Sequence, residues 1–509
     1  MVITKTVPHL TSGRLLARNT TLSIVGLALP MAAGLVAIPP LVRLLGVDRF
    51  GVLSLAWIVI GYFSLFDLGL GRALTKLVAD KLAINDEQSI PPLVWTSLLL
   101  LLLLGVAGGM VTLSLSPWLV HSALKIPAGL QAETLYTFEL LSSSIPIVTV
   151  TSGLRGILEA QQRFGILTFI RVPTSVFYFA GPLLVLPFSQ SLIAVIAVLI
   201  FGRVIACVAH LVACLQSLPA LRNNVAFQRA DVLPLVQFGG WMTISNLVGP
   251  IMAYLDRFLI GGLLSVGAVA YYTAPFDLVA RLTFIAQAVT GVLFPAFAVS
   301  LIQDSDRTVL LFIRGVKYIF LALFPIILLT VTFAPEGLQL WLGGAFAQNS
   351  QFVLRLLSVG VLITSIAYAP FALVQSAGQP GIIAKLHMVE LPLYLIAVWV
   401  LTSRFGIAGT AMAWTGRVAL DAILLFFFAG RLIKHRQGFL PKLTAALVAG
   451  LVVLYGATIP NTLAGKAGFL LLALLAFGFV GWYLAMAPDE RALMRHIRLR
   501  KPTRTQGEA

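Results

Sequence analysis

Fourteen apolar stretches follow one another through the 509 residues, at about 20–43, 50–71, 92–114, 136–158, 165–187, 191–215, 237–262, 268–298, 309–333, 351–376, 382–403, 406–430, 443–460 and 467–487. Each is near the roughly 20 residues a helix needs to cross a bilayer's hydrocarbon core. A segment in lipid must pair its backbone groups internally, so helices are expected throughout. The fold class that follows is an all-α polytopic membrane protein with about 14 transmembrane helices. Only 11% of residues are charged and 59% are hydrophobic, which excludes a soluble domain of this length.

Lys and Arg orient the chain, because short cytoplasmic loops hold their excess. With the N-terminus inside, 25 of the 35 fall on the cytoplasmic side and 5 on the other, at Arg43, Arg49, Lys125, Arg404 and Lys466. Both termini are therefore expected in the cytoplasm. The net charge of +16 has the same origin, and the basic tail after the last stretch is suited to anionic headgroups rather than nucleic acid. The first stretch is too long for a cleavable signal and is expected to stay as a helix. Cys207 and Cys214 lie seven apart in one stretch, roughly 10 Å along a helix, too far to bridge.

The chain also repeats itself at an offset of about 215 to 220 residues. Pro30, Leu44, Leu45 and Val47 match Pro250, Leu263, Leu264 and Val266; Gly165-Ile166 matches Gly381-Ile382. Pro173 and Tyr178 match Pro392 and Tyr394, and Gly202-Arg203-Val204 matches Gly416-Arg417-Val418. Six helices per unit is an even number, so the halves would enter the membrane in the same direction, as in alternating-access transporters. The expected organisation is a cytoplasmic segment 1–19, a first lobe 20–215, a cytoplasmic linker 216–236, a second lobe 237–430, two further helices at 443–487 and a basic tail 488–509.

Short loops leave no room for a catalytic domain, so the chemistry is expected inside the membrane and the protein is read as a transporter, not an enzyme. Five arginines fall within stretches: Arg203, Arg257, Arg281, Arg355 and Arg417. At about 2.5 to 3.5 kcal/mol each, exposing them all to lipid would cost on the order of 12 to 18 kcal/mol. They must face protein or water. Local neutralisation accounts for some, since Asp277 and Arg281, and Arg417 and Asp421, are spaced i,i+4; Arg355, near a stretch end, could snorkel. As a group they suit a phosphate-bearing substrate, which guanidinium groups hold bidentately.

Buried acids are the candidates for coupling to H⁺ or Na⁺: Asp256 beside Arg257 first, then Glu139, Glu390, Asp277 and Asp421. Asp67 is weaker, because it could serve only to orient Arg72. No phosphate-binding loop of the GxxxxGK[ST] type occurs, so an ion gradient or the cargo's own gradient must drive transport. No cofactor is expected. The histidines show no metal-ligand spacing, so no metal is expected either.

Four segments carry a family resemblance: Phe66-Asp67-Leu68-Gly69-Leu70-Gly71-Arg72-Ala73-Leu74-Thr75-Lys76; Tyr254-Leu255-Asp256-Arg257-Phe258-Leu259-Ile260-Gly261; Tyr271-Tyr272 through Pro275-Phe276-Asp277-Leu278; and Gly406-Ile407-Ala408-Gly409 through Arg417. Over about residues 12 to 430 the chain resembles the Wzx-type polysaccharide and O-antigen flippases of the multidrug/oligosaccharidyl-lipid/polysaccharide exporter superfamily. The resemblance implies two MATE-like six-helix lobes around a cationic lumen in the bacterial inner membrane. It implies a monomer moving an undecaprenyl-pyrophosphate-linked oligosaccharide from the cytoplasmic to the periplasmic leaflet, by ion antiport, alongside other polysaccharide assembly proteins. On that reading Arg257, Arg281, Arg417 and Arg203 surround the pyrophosphate.

Peptidoglycan-precursor flippases of the superfamily carry charges in the first helix, and this chain has none there before Arg43, which disfavours a lipid II substrate. A multidrug cation exporter of the same fold would need an acidic or apolar lumen. A membrane glycan polymerase would need a sizeable outer loop.

Overall fold

The computed structural model describes residues 13–62, 67–84, 86–433 and 439–481. The first twelve residues, the basic tail and Phe66 lie outside them. The described residues are helical with short connections and contain no strand. Nine helices among them are long and apolar enough to cross a membrane, and one of these, Pro380–Leu432, carries two of the fourteen apolar stretches. This is a multi-pass membrane protein.

The chain divides into two compact units, Met1–Leu278 with His387–Ala413, and Val279–Leu386 with Trp414–Ala509. This division is not collinear with the six-helix lobes read along the sequence.

The first unit contains α1 (Gly13–Leu45), α2 (Val47–Tyr62), α3 (Leu70–Ala83), α4 (Ile90–Trp118), α5 (Ala128–Ser142), α6 (Ile145–Ala160), α7 (Phe164–Val185), α8 (Leu192–Ser217), α9 (Ala220–Asn223), α10 (Arg229–Leu263) and most of α11 (Val266–Ala280). The stretch expected at 50–71 is not one helix. Its described first part is α2, to Tyr62, and the chain turns through Leu68 and Gly69, both at positive φ, into α3. Leu70, Ala73, Leu74 and Val78 repeat at helical spacing and bury α3 against α4 and α6, so much of the segment expected as a cytoplasmic loop is a packed helix.

Small residues let α4 approach α5 and α6 closely. A Cβ on Gly109 would stand 2.9 Å from the Ser142 carbonyl, one on Gly105 would overlap Thr149 and Pro146, and the Thr149 hydroxyl donates across to the Leu101 carbonyl at 2.9 Å. The stretch expected at 136–158 begins earlier, at Ala128, and is broken at Ser143–Ser144 between α5 and α6.

One end of this unit is tightly interlocked. The Lys125 amide donates to the Gly261 carbonyl at 2.9 Å and its ammonium to the Leu263 carbonyl at 2.6 Å. A Cβ on Gly262 would stand 2.7 Å from the Ala123 carbonyl, and one on Gly51 would overlap the Val266 carbonyl. Arg49 pairs with Glu133 at 3.0 Å while the other Glu133 oxygen accepts the Leu192 amide at 2.6 Å, so the starts of α2, α5 and α8 are tied together.

The second unit contains α12 (Thr283–Gln303), α13 (Ser305–Thr332), α14 (Ala334–Leu342), α15 (Gly344–Ser376), the two ends of α16 (Pro380–Leu432), α17 (Phe439–Gly456) and α18 (Leu463–Val480). Within α16 the chain reverses at Gly406, whose φ of 61° and ψ of −146° suit glycine. Residues eight apart in a straight helix are roughly 12 Å apart along its axis, yet the Thr402 and Thr410 hydroxyls meet at 2.7 Å. The two stretches expected at 382–403 and 406–430 are thus a tight hairpin.

α17 and α18 pack on α13, with Phe324 and Phe477 stacked at 4.9 Å. Lys466, 5% exposed at the start of α18, is held by Glu336 at 2.6 Å. Burial would raise the Glu336 carboxyl, but the Lys466 hydrogen bond, the backbone and the nearby charges outweigh it and hold the group below its ordinary 4.5. A depressed folded value means that the pair's stabilisation is complete above the ordinary glutamate range and is lost as pH falls through the folded value. Thermal unfolding of the purified protein should accordingly show α18 docking weaken in acid, and Lys466→Met should remove that acid-dependent component. An unchanged pH profile in the variant would deny the ion pair this role.

Candidate functional site

The sequence Tyr254-Leu255-Asp256-Arg257 puts Tyr254 and Arg257 one turn apart on α10, with Asp256 beside them. Both charges lie in the interior, at 0% and 1% exposure. Asp256 is met by donors on every side: the Arg257 amide at 2.8 Å, the Tyr272 hydroxyl of α11 at 2.9 Å and the Tyr394 hydroxyl of α16 at 3.3 Å. The Arg257 guanidinium adds a contact at 3.7 Å. A carboxyl group so surrounded is fixed in place.

The guanidinium itself lies between two rings, 4.8 Å from the Tyr254 centroid and 4.6 Å from that of Phe276, which stacks on Tyr272. The two cation–π contacts form an aromatic clamp on the guanidinium. Beyond the clamp Asp277 stands 3.5 Å from Nη2, and its side chain is still 33% exposed. Arg257 thus sits between one locked carboxylate and one that reaches the surface.

An aromatic wall adjoins this centre. Trp57 of α2 contacts Tyr178 and Phe179 of α7 with ring centroids at 5.6 Å in both cases, and the Tyr178 hydroxyl donates to the Trp57 carbonyl at 3.0 Å. Tyr178 lies within electrostatic reach of Arg203, Asp277 and Tyr254. Arg203 is half-buried on α8, and among the described residues no carboxylate pairs with it. So Arg203 and Asp277 both lie near Tyr178 within the first unit.

The remaining candidates stand elsewhere. Arg355 does not snorkel freely: its Nε donates to the Val331 carbonyl at 3.2 Å, a tie between α15 and α13. Asp67 does not orient Arg72, which is exposed; it accepts from the Gly69 amide at 2.8 Å and the Ser152 hydroxyl at 2.9 Å, fastening the α3 turn to α6. Arg281 is not inside a helix, because the stretch expected at 268–298 breaks at Arg281–Leu282 between α11 and α12. Arg417 and Asp421 are half-buried in the second unit, while in the first Glu139 is half-buried on α5 and Glu390 is 2% exposed on α16. Sequence reasoning gave no role to Tyr254, Phe276, Tyr272 or Tyr394. Aromatics three before Arg257 and one before Asp277 were the available signal.

Residues 16–300 match the family described as polysaccharide biosynthesis protein. The chain belongs to the polysaccharide biosynthesis protein family. Within the family's range of relatives, a Shigella flexneri protein assigned as an O-antigen transporter is 30% identical over 413 residues, covering 80% of this chain and 96% of its own. The lipopolysaccharide biosynthesis protein WzxC of Escherichia coli K12 is 23% identical over 208 residues, 40% of this chain and 42% of WzxC. Among solved structures, an inward-facing MATE-family multidrug resistance transporter of the MOP superfamily superposes with a TM-score of 0.65 at 14% identity, over 82% of this chain and 98% of its own. A MOP superfamily transporter of Pyrococcus furiosus gives 0.57 at 17% identity, over 81% and 95%. This member of the polysaccharide biosynthesis family therefore has the MATE-like fold, and the Wzx-type resemblance of its motifs holds.

Proposed function

We propose that the protein flips an undecaprenyl-pyrophosphate-linked oligosaccharide from the cytoplasmic to the periplasmic leaflet of the bacterial inner membrane, for surface polysaccharide assembly. The observation that carries this reading is the Arg257 centre, a buried cation clamped by rings and open toward the surface on one carboxylate. A pyrophosphate suits such a guanidinium, sugars suit the adjoining aromatic wall, and the polyprenyl tail can stay in lipid. The family membership and the likeness to the Shigella relative support the substrate class.

In this reading both termini are cytoplasmic, two six-helix lobes alternate their access, and Arg203 and Arg257 hold the pyrophosphate. An H⁺ or Na⁺ gradient drives the cycle. Asp256, surrounded by donors, serves as an anchor, which leaves Asp277, Glu139, Glu390 and Asp421 as the coupling carboxylates.

A strain deleted for the gene should accumulate the lipid-linked repeat unit in the cytoplasmic leaflet and lose surface polysaccharide, with both restored by the wild-type gene. Normal glycan export together with a raised drug sensitivity would instead favour a multidrug exporter and sink this reading.

A further inference from the structure

Arg257 is 1% exposed, so no ligand reaches it while its surroundings stay as they are. Of the groups that cover it, Asp256 is locked by two phenols and a backbone amide, whereas Asp277 carries a side chain that is one-third exposed and meets the guanidinium edge at 3.5 Å. Tyr254 and Phe276 hold the guanidinium by cation–π contacts. On the edge Asp256 reaches Nη1 at 3.7 Å and Asp277 meets Nη2 at 3.5 Å. A carboxylate and a phosphoryl group both present two oxygens to that edge, so they compete for one place.

We infer that Asp277 is a stand-in ligand: it occupies the diphosphate place on Arg257 in the empty transporter and is displaced when substrate binds. The inference rests on the reading of this centre as a pyrophosphate site. Displacement fits the charges, because a diphosphate carries more negative charge than one carboxylate and outcompetes it, while the displaced carboxylate keeps its water. Return of Asp277 to Arg257 then assists release into the other leaflet. Asp277 acts through Arg257 and is a positioning residue. If it holds the edge about nine-tenths of the time, the apparent affinity for substrate is lowered about tenfold.

The test uses the full chain in lipid nanodiscs, with farnesyl diphosphate as the probe. Wild type should bind it, Asp277→Asn should bind about tenfold more tightly, and Asp277→Glu should return the affinity toward wild type. In proteoliposomes Asp277→Asn should lower both KM and kcat, since release is slowed. A variant damaged only in its fold would bind more weakly, so the sign of the change separates the two. Unchanged or weaker binding by Asp277→Asn, with wild type binding normally, overturns the displacement alone. No diphosphate binding by wild type overturns the reading of the site as well.

Discussion

Replacing Arg257 by glutamine together with Asp256 by asparagine should leave a folded, membrane-inserted protein that exports lipid-linked glycan at least about 100-fold more slowly than wild type. The double variant is needed because the single one confounds two effects. Removing Arg257 alone strands Asp256 at 0% exposure, and breaking a buried pair from one side costs about 3 to 5 kcal/mol, a large part of any protein's stability. Neutralising both partners removes that penalty, and the side-chain amide introduced by Asp256→Asn keeps a carbonyl oxygen to accept from the phenols of Tyr272 and Tyr394.

What the double variant lacks is the cation. A charge-assisted hydrogen bond contributes about 1.5 to 3 kcal/mol, so losing a bidentate pair is worth about 3 to 6 kcal/mol, or roughly 10²- to 10⁴-fold in rate. Arg257→Lys should recover little, because an ammonium lacks the planar fork that holds a phosphoryl group bidentately and stacks on the Tyr254 and Phe276 rings. The measurements are the lipid-linked intermediate, surface polysaccharide and the amount of protein in the membrane. Wild-type export by the double variant would remove Arg257 from the site.

The helices were legible because hydropathy over a span-length window reports burial in lipid, and that signal is strong in α4, α8 and α15. Even the reversal inside α16 could be read, from Arg404 between the stretches 382–403 and 406–430. The breaks at Ser143–Ser144 and Arg281–Leu282 could not, since an apolar window averages over the few hydrogen bonds that a break removes. α3 was missed for a related reason: its polar residues resemble a loop, and only the period of Leu70, Ala73, Leu74 and Val78 shows the packed face.

At the site, adjacency revealed Asp256 with Arg257. It gave no sign that Asp277, twenty residues on, stands against Arg257, because helical spacing pairs Asp277 with Arg281 along the chain. The Tyr394 hydroxyl reaches Asp256 across 138 positions, a distance at which a single sequence carries no contact signal. Tyr394 was nonetheless visible as the repeat partner of Tyr178, and both tyrosines lie in the first unit.

Oxidising the double variant Val47→Cys/Gly267→Cys, in a background where Cys207 and Cys214 are alanine, should reduce transport at least about tenfold, and a thiol reductant should restore it. A Cβ on Gly267 would stand 3.6 Å from Val47 Cγ1, and its shortest contact, 2.6 Å, is to the movable Asp48 carboxylate, so a bridge within normal disulfide geometry is accessible. The position matters because Val47 and Val266 are repeat mates. Equivalent residues of a duplicated chain can meet only near the axis relating its halves, so the proposed duplication expects such a place close to Val47 and Val266. The surrounding interlock, with Lys125 on the Gly261 and Leu263 carbonyls and Gly51 against Val266, closes this end of the first unit. In the proposed topology it is the periplasmic end. The proposed alternating access requires these contacts to part once per cycle, and a covalent bridge forbids it. Each single-cysteine variant should transport normally in oxidant, which excludes damage by the substitutions themselves. Full activity in the bridged protein would mean that this end never opens, and substrate would then have to leave by another route.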